Sequence, residues 1–169
     1  AIPLPVASAY CSEVLFQNMK RTYYAIGFIN DALGWEIRNM YFKGCVAPKA
    51  ITTIKRGTDR LQIFEGFMDF LSWQTLNPSL ACDTIILNSL ALLPRIQEKI
   101  KGYNQVESFL DNDEAGRKSF EVLKQFYPQI IDGSVRYRTH KDINEWLVAQ
   151  SKVKEKQPLL LTTKRGIRR

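Results

Sequence analysis

The rhythm of apolar and polar positions changes near residue 65. Ahead of that point, residues 22–30 (T-Y-Y-A-I-G-F-I-N) and 35–43 (W-E-I-R-N-M-Y-F-K) are rich in aromatic and β-branched side chains. A turn-like N-D-A-L-G separates them, so they predict two strands. Residues 50–55 (A-I-T-T-I-K) and 60–65 (R-L-Q-I-F-E) predict a second hairpin around R-G-T-D. Beyond residue 65 the period lengthens. Phe67, Phe70, Leu71 and Gln74 fall on one helical face of residues 67–76. Thr84–Leu87 is a short buried strand, and a helix is expected from about Leu90 to Ile100, with Pro94 in its first turn. Val106–Leu110 predicts another strand and Glu114–Phe126 an amphipathic helix. Val135–Tyr137 reads as a short strand. Ile143–Ala149 reads as a last helix, N-capped by Asp142.

Strands alternating with 10–15-residue crossovers favour a parallel sheet with helices on its faces. The expected fold class is therefore α/β, preceded by a β-rich region. Ligands of such sheets bind beyond the carboxyl ends of the strands. Glu65, Asp111 and Asp113 each fall at or just past a strand end.

Composition narrows the classes. The chain has 169 residues, 45% of them hydrophobic, enough for a real core. No stretch approaches the ~20 apolar residues that span a bilayer. The opening A-I-P-L-P-V-A-S-A has no charged region and does not read as a signal peptide. Ala1 is equally compatible with a removed methionine and with the cut end of a longer protein. Cys11, Cys45 and Cys82 are scattered and His140 is the sole histidine, which argues against zinc within this chain and for a reducing, cytoplasmic setting. The net charge of +7 is concentrated at the end: seven Lys and Arg lie from Lys152 onward against Glu155 alone. The expected organisation is a β-rich lead-in over 1–58, an α/β domain over 59–150 and a basic tail over 151–169. Such a tail is either a solvated end or an arm that attracts nucleic acid.

The acids carry the candidate chemistry. Mg²⁺ takes oxygen ligands and keeps several waters. A D-x-D loop, here Asp111 and Asp113, can aim two carboxylates at one ion, and Gly116 with Ala115 leaves room for a close turn. The same residues also suit an ordinary turn and a helix N-terminus. Glu65 ends an apolar strand and precedes Gly66, and Asp69 lies one helical turn further on. T-H-K-D-I-N-E-W-L brings Asp142, behind Lys141, toward the same sheet edge. Asp142 as a cap and Asp69 as a solvent-facing helix acid are the plainer alternatives.

In this order the three pieces resemble the Toprim domain of bacterial primases, topoisomerases and several nucleases. Bacterial DNA primases show E-G-Y-M-D where this chain has E-G-F-M-D, D-G-D-x-A-G-R where it has D-N-D-E-A-G-R, and K-D-P-D-E where it has K-D-I-N-E. The resemblance covers about residues 60–148. It reaches back more weakly to Arg38 and Lys43 in I-R-N-M-Y-F-K-G, similar to the basic residues that primases place ahead of the Toprim core, and the N-terminal half also resembles primase-like proteins of Bacteroides-type mobile elements. It implies a Rossmann-like Toprim sheet and Mg²⁺ (or Mn²⁺) held by Asp111, Asp113, Asp142 and Glu65. It also makes Glu65 the general acid/base of nucleotidyl transfer. Arg38, Lys43 and Lys141 become contacts to phosphate or nucleic acid, with Gly66, Asp69, Gly116 and Asn144 in support. Asn144 stands where primases often carry an acid. The implied partners are single-stranded DNA and nucleotides, with a helicase or mobilisation proteins beyond them, and no membrane. The implied activity is that of a primase-type nucleotidyltransferase within a longer protein. A Toprim nuclease and a non-catalytic DNA-binding module of mobile-element replication or mobilisation are the alternatives. Tyr23, Tyr24, Phe28, Trp35 and Tyr41 are either base-stacking or core aromatics.

Overall fold

Aromatic and β-branched residues carry the N-terminal third into an antiparallel meander: β1 (Ser12–Asn18), β2 (Arg21–Ile29), β3 (Trp35–Arg38) and β4 (Lys43–Val46). The computed structural model describes residues 1–18 and 20–156. A short helix, α1 (Leu4–Ser8), precedes the meander. Neither α1 nor β1 was anticipated. The expected single strand over 35–43 is two strands, because Asn39 turns the chain. Its Oδ1 accepts the Tyr41 and Phe42 amides, at 2.8 and 3.1 Å.

The second sheet has five strands in the order β5-β7-β6-β8-β9: β5 (Thr52–Ile54), β6 (Arg60–Phe64), β7 (Asp83–Ile86), β8 (Gln105–Phe109) and β9 (Ile131–Asp132). β6 to β9 run parallel and β5 is an antiparallel edge on β7. The hairpin expected between residues 50–55 and 60–65 does not form. Asp83 Oδ1 accepts the amides of Arg56 (2.8 Å) and Thr58 (3.1 Å), which folds the R-G-T-D link over the start of β7. β6 is thereby delivered to the far side of β7. There its run Leu61–Phe64 is buried throughout, as a central parallel strand requires.

Each crossover places apolar residues on one face of this sheet. On one side, α3 (Glu114–Phe126) and a 3₁₀ segment (Leu90–Ile96) cover Leu61, Ile63, Ile85 and Val106. The expected α-helix over 90–100 is thus a 3₁₀ segment followed by turns. Pro94 falls in its interior, where it has no N–H to donate. On the other side, α2 (Phe67–Leu76) and α4 (Ile143–Lys156) pack with Phe64, Ile86 and Phe109. Phe28 of the meander joins this second core and stacks on Phe67 at 5.3 Å, which docks the small sheet on the large one.

Two further expectations are corrected. Val135–Tyr137 is not a strand. β9 ends at Asp132, whose Oδ1 accepts the Ser134 amide and starts a 3₁₀ turn over Gly133–Tyr137. α4 runs on to Lys156, past the expected helix end at Ala149, and the rest of the basic tail lies outside the described residues. Cys11, Cys45 and Cys82 are free thiols. Among the described residues no helix is long and apolar enough to cross a membrane.

Candidate metal and phosphate site

β6 and β8 are neighbours whose outgoing connections leave in opposite directions, β6 through α2 to β7 and β8 through α3 to β9. The carboxyl ends of such a pair diverge into a crevice, the usual ligand site of open α/β sheets. Glu65 follows β6 and Asp111 follows β8. The two are stitched together: the Glu65 amide donates to the Phe109 carbonyl (3.3 Å), and the Asp111 amide donates to Glu65 Oε2 (3.2 Å).

Two helices complete the crevice. Asp69 lies in the first turn of α2. Asp142 caps α4, its Oδ1 accepting the Glu145 amide at 2.7 Å. Asp69, Asp111 and Asp142 each present an oxygen, and the three oxygens lie within 4.8 Å of one another. Asp69 is only 9% exposed, and its Oδ1 has no hydrogen-bond partner. Burial, then the charges of Asp142 and Asp111, push its carboxyl up to about 8, although the Asn144 amide donates to it. Burial and Asp142 also raise Asp111, against the pull of Lys141. Glu65 is raised by burial and by Asp111, while the Asp111 amide and the charge of Lys43 work the other way.

Crowded, desolvated carboxylates are relieved by protons or by a cation. Three hard oxygen donors around an orphaned buried oxygen fit Mg²⁺ or Mn²⁺ and offer no nitrogen or sulfur for zinc.

The predicted residues divide into groups. Glu65, Asp111 and Asp142 meet at the crevice, and Asp69, expected only in support, is a full member of the carboxylate cluster. Asp113 stands outside that cluster. Its Oδ1 accepts the Gly116 amide at 2.9 Å as the cap of α3, which holds its carboxyl below the usual range. Lys141 Nζ lies between Asp111 Oδ2 (3.4 Å) and Asp113 Oδ2 (3.7 Å). The Asn144 side chain donates to the Ser72 hydroxyl at 3.0 Å, tying α4 to α2. Arg38 and Lys43 are exposed register partners across β3 and β4. Of the aromatics, Phe28 is core, Trp35 packs over Gly27, and Tyr23 stacks on Phe16, whereas Tyr24 and Tyr41 are exposed.

The sequence reading overlooked Asn112 and the true part of Tyr137. Asn112 Nδ2 donates to the carbonyls of Tyr137 and His140, both at 3.0 Å, and its amide donates to the Lys141 carbonyl at 2.7 Å. Tyr137, almost fully buried, donates its hydroxyl to the Leu110 carbonyl at 2.9 Å. These bonds clamp the D-N-D loop to the segment carrying Asp142. The available signal was Asn112 itself, standing where primases place glycine.

A family model described as Toprim-like matches residues 62–147, the span holding all of these acids. The chain belongs to the Toprim-like family. Residues 1–47 match a domain of unknown function (DUF8464). A search of curated proteins finds no match. Among solved structures, the primase fragment of the bacteriophage T7 primase-helicase protein aligns with a TM-score of 0.60 at 16% identity. The alignment covers 85% of this chain and 65% of that one. A second likeness is to a bacteriophage T7 assembly in which the lagging-strand DNA polymerase interacts with primase domains of two gp4 subunits bound to an RNA/DNA hybrid and dTTP. Its TM-score is 0.65 at 15% identity, covering 92% of this chain and 85% of that one. The chain thus has the Toprim fold of primases and spans about two thirds of the T7 primase fragment, 65% of its length.

Proposed function

We propose that this chain is the Toprim part of a primase-like polymerase, performing Mg²⁺-dependent nucleotidyl transfer on single-stranded DNA within a longer protein. The observation that carries the reading is the meeting of Glu65 with Asp69, Asp111 and Asp142 at the switch point of the parallel sheet. In this reading Asp69, Asp111 and Asp142 hold the cation. Asp113 keeps one oxygen for its cap and turns the other toward the same loop edge. When bound, Mg²⁺ supplies Lewis-acid neutralisation of phosphate charge. Glu65 is the general acid/base: burial and the Asp111 charge raise its affinity for a proton, which suits it to accept one from an attacking hydroxyl. Arg38 and Lys43 contact phosphates, and the exposed rings of Tyr24 and Tyr41 offer stacking surfaces to bases.

Residues 1–58 supply the basic and aromatic lead-in, 59–150 the catalytic domain and 151–169 a DNA-attracting tail. The reading is tested by Mg²⁺-dependent primer synthesis on single-stranded DNA with the full-length protein, alongside a strand-cleavage assay. Synthesis that disappears in Glu65→Gln and Asp111→Asn is expected. Cleavage without synthesis would make the protein a Toprim nuclease, and DNA binding with neither activity would make it an inactive binding module.

A further inference from the structure

The acids of the crevice form two groups with different partners. Asp69, Asp111 and Asp142 converge around the unpartnered Asp69 Oδ1. Asp111 has a second partner: Lys141 Nζ lies 3.4 Å from Asp111 Oδ2 and 3.7 Å from Asp113 Oδ2. The D-x-D pair, the arrangement that could grip a cation between two loop carboxylates, is therefore already bridged by a cation belonging to the chain.

The position of Lys141 is fixed by its backbone. Its carbonyl accepts the Asn112 amide at 2.7 Å, and its own amide donates to Glu145 Oε2 at 2.6 Å. Both bonds survive any side-chain substitution. The side chain itself is 59% exposed, so the ammonium can leave the carboxylates for solvent without disturbing the core. Asp113 cannot rotate freely to follow it, because its other oxygen caps α3.

We propose that Lys141 is a resident counter-ion: its ammonium holds the Asp111–Asp113 pair, so the unliganded protein takes one divalent cation, at Asp69, Asp111 and Asp142, and not two. The inference rests on the metal reading given under Proposed function and adds a count to it. A divalent ion at the outer pair must displace Lys141, which makes its entry conditional on something else drawing the lysine away. A polyanionic phosphate chain has the right chemistry, since it attracts the ammonium and brings further oxygen ligands for an incoming ion. Occupancy of the outer pair is thereby coupled to arrival of the phosphate-bearing substrate.

The test counts tightly bound Mn²⁺ by electron paramagnetic resonance titration and calorimetry, without substrate, in wild type, Lys141→Met and Lys141→Arg. Thermal melts of each variant confirm folding. Wild type and Lys141→Arg are expected to bind one tight Mn²⁺. Lys141→Met is expected to bind two, with the first tightened about threefold to tenfold by loss of the neighbouring charge. Two tight ions in wild type, or one in Lys141→Met, would overturn the counter-ion role while leaving the metal site standing. No tight Mn²⁺ in any variant would overturn both.

Discussion

Replacing Asp69 with asparagine should stabilise the metal-free protein, although it removes a member of the carboxylate cluster. Asn keeps an oxygen to accept the Asn144 amide, and its new N–H groups meet the oxygens of Asp111 and Asp142. The gain comes from proton linkage. An unfolded Asp releases its proton near pH 3.9, whereas folded Asp69 retains it up to about 8. Below pH 4 both states are protonated and no difference arises. Between 4 and 8 the unfolded state binds fewer protons, so stability falls as pH rises, and above 8 the penalty saturates. At pH 7 the ceiling is about 4 kcal/mol, from about 3 pH units at 1.36 kcal/mol each. Relaxation and water entry should leave about 2 kcal/mol. For a chain of this size that is a rise in Tm of roughly 4–8 °C. The assay is thermal and urea unfolding of wild type and Asp69→Asn in EDTA at pH 5, 7 and 8.5. The advantage of the variant should grow from about a third of its pH 7 value at pH 5 to its maximum at 8.5. A variant equal to or less stable than wild type at every pH would refute the buried, repulsive environment assigned to Asp69.

The same linkage predicts that Mg²⁺ raises the Tm of wild type more at pH 8 than at pH 5, because protons and the cation compete for the cluster, and melts with and without Mg²⁺ at each pH check it. Asp83→Ala should cost about 3 kcal/mol, measured in urea, with Mn²⁺ affinity unchanged. The carboxylate accepts from Arg56, Thr58 and Tyr103 and pairs with Lys55 at the opposite end of the strands. Burial opposes the Asp83 charge, but those donors prevail and hold its carboxyl well below the usual range. Its contribution is therefore present above about pH 4 and lost as pH falls, a dependence that Asp83→Asn should remove. Gly116→Ala should destabilise by about 1–3 kcal/mol and weaken Mn²⁺ binding in calorimetry, because a Cβ there would lie 2.0 Å from the Asp111 carbonyl oxygen. Gly66→Ala, whose Cβ would meet only Asp69 Oδ2 at 3.4 Å, should melt like wild type.

What was legible in the sequence was local and periodic. The apolar runs of β6, β7 and β8 and the 3.6-residue stripe of α3 mark their elements directly, and the acids at strand ends mark the edge of the sheet where the carboxylates gather. The parts that escaped depend on partners distant in sequence. Whether β5 pairs with β6 is decided by Asp83, some 25 residues away, whose grip on the Arg56 and Thr58 amides outweighs the local turn signal. Val135–Tyr137 has strand-like residues, yet Asp132 caps a 3₁₀ turn and Tyr137 is drawn to the Leu110 carbonyl. In β1 the run Val14-Leu15-Phe16 hides the alternation: Val14 and Phe16 are half-buried while Leu15 between them is exposed, and the strand gains its pairing from β2. In the site, D-x-D spacing left the parts of Asp111 and Asp113 undivided. Only the fold shows one turned into the crevice with Asp69 while the other caps α3 beside Lys141. Asn112 was readable solely as a departure from glycine, and its three bonds across the loops became visible only once those loops were placed.

The proposed divalent-cation site of Asp69, Asp111 and Asp142 at the carboxyl ends of β6 and β8 is tested most directly by paramagnetic broadening with substoichiometric Mn²⁺ in ¹H–¹⁵N NMR spectra. Selective loss of the amide signals of Glu65, Asp69, Asp111, Asn112 and Asp142 is expected, abolished by Asp111→Asn. Broadening confined to exposed acids such as Glu98 and Glu114, with the Asp111 region untouched, would contradict it.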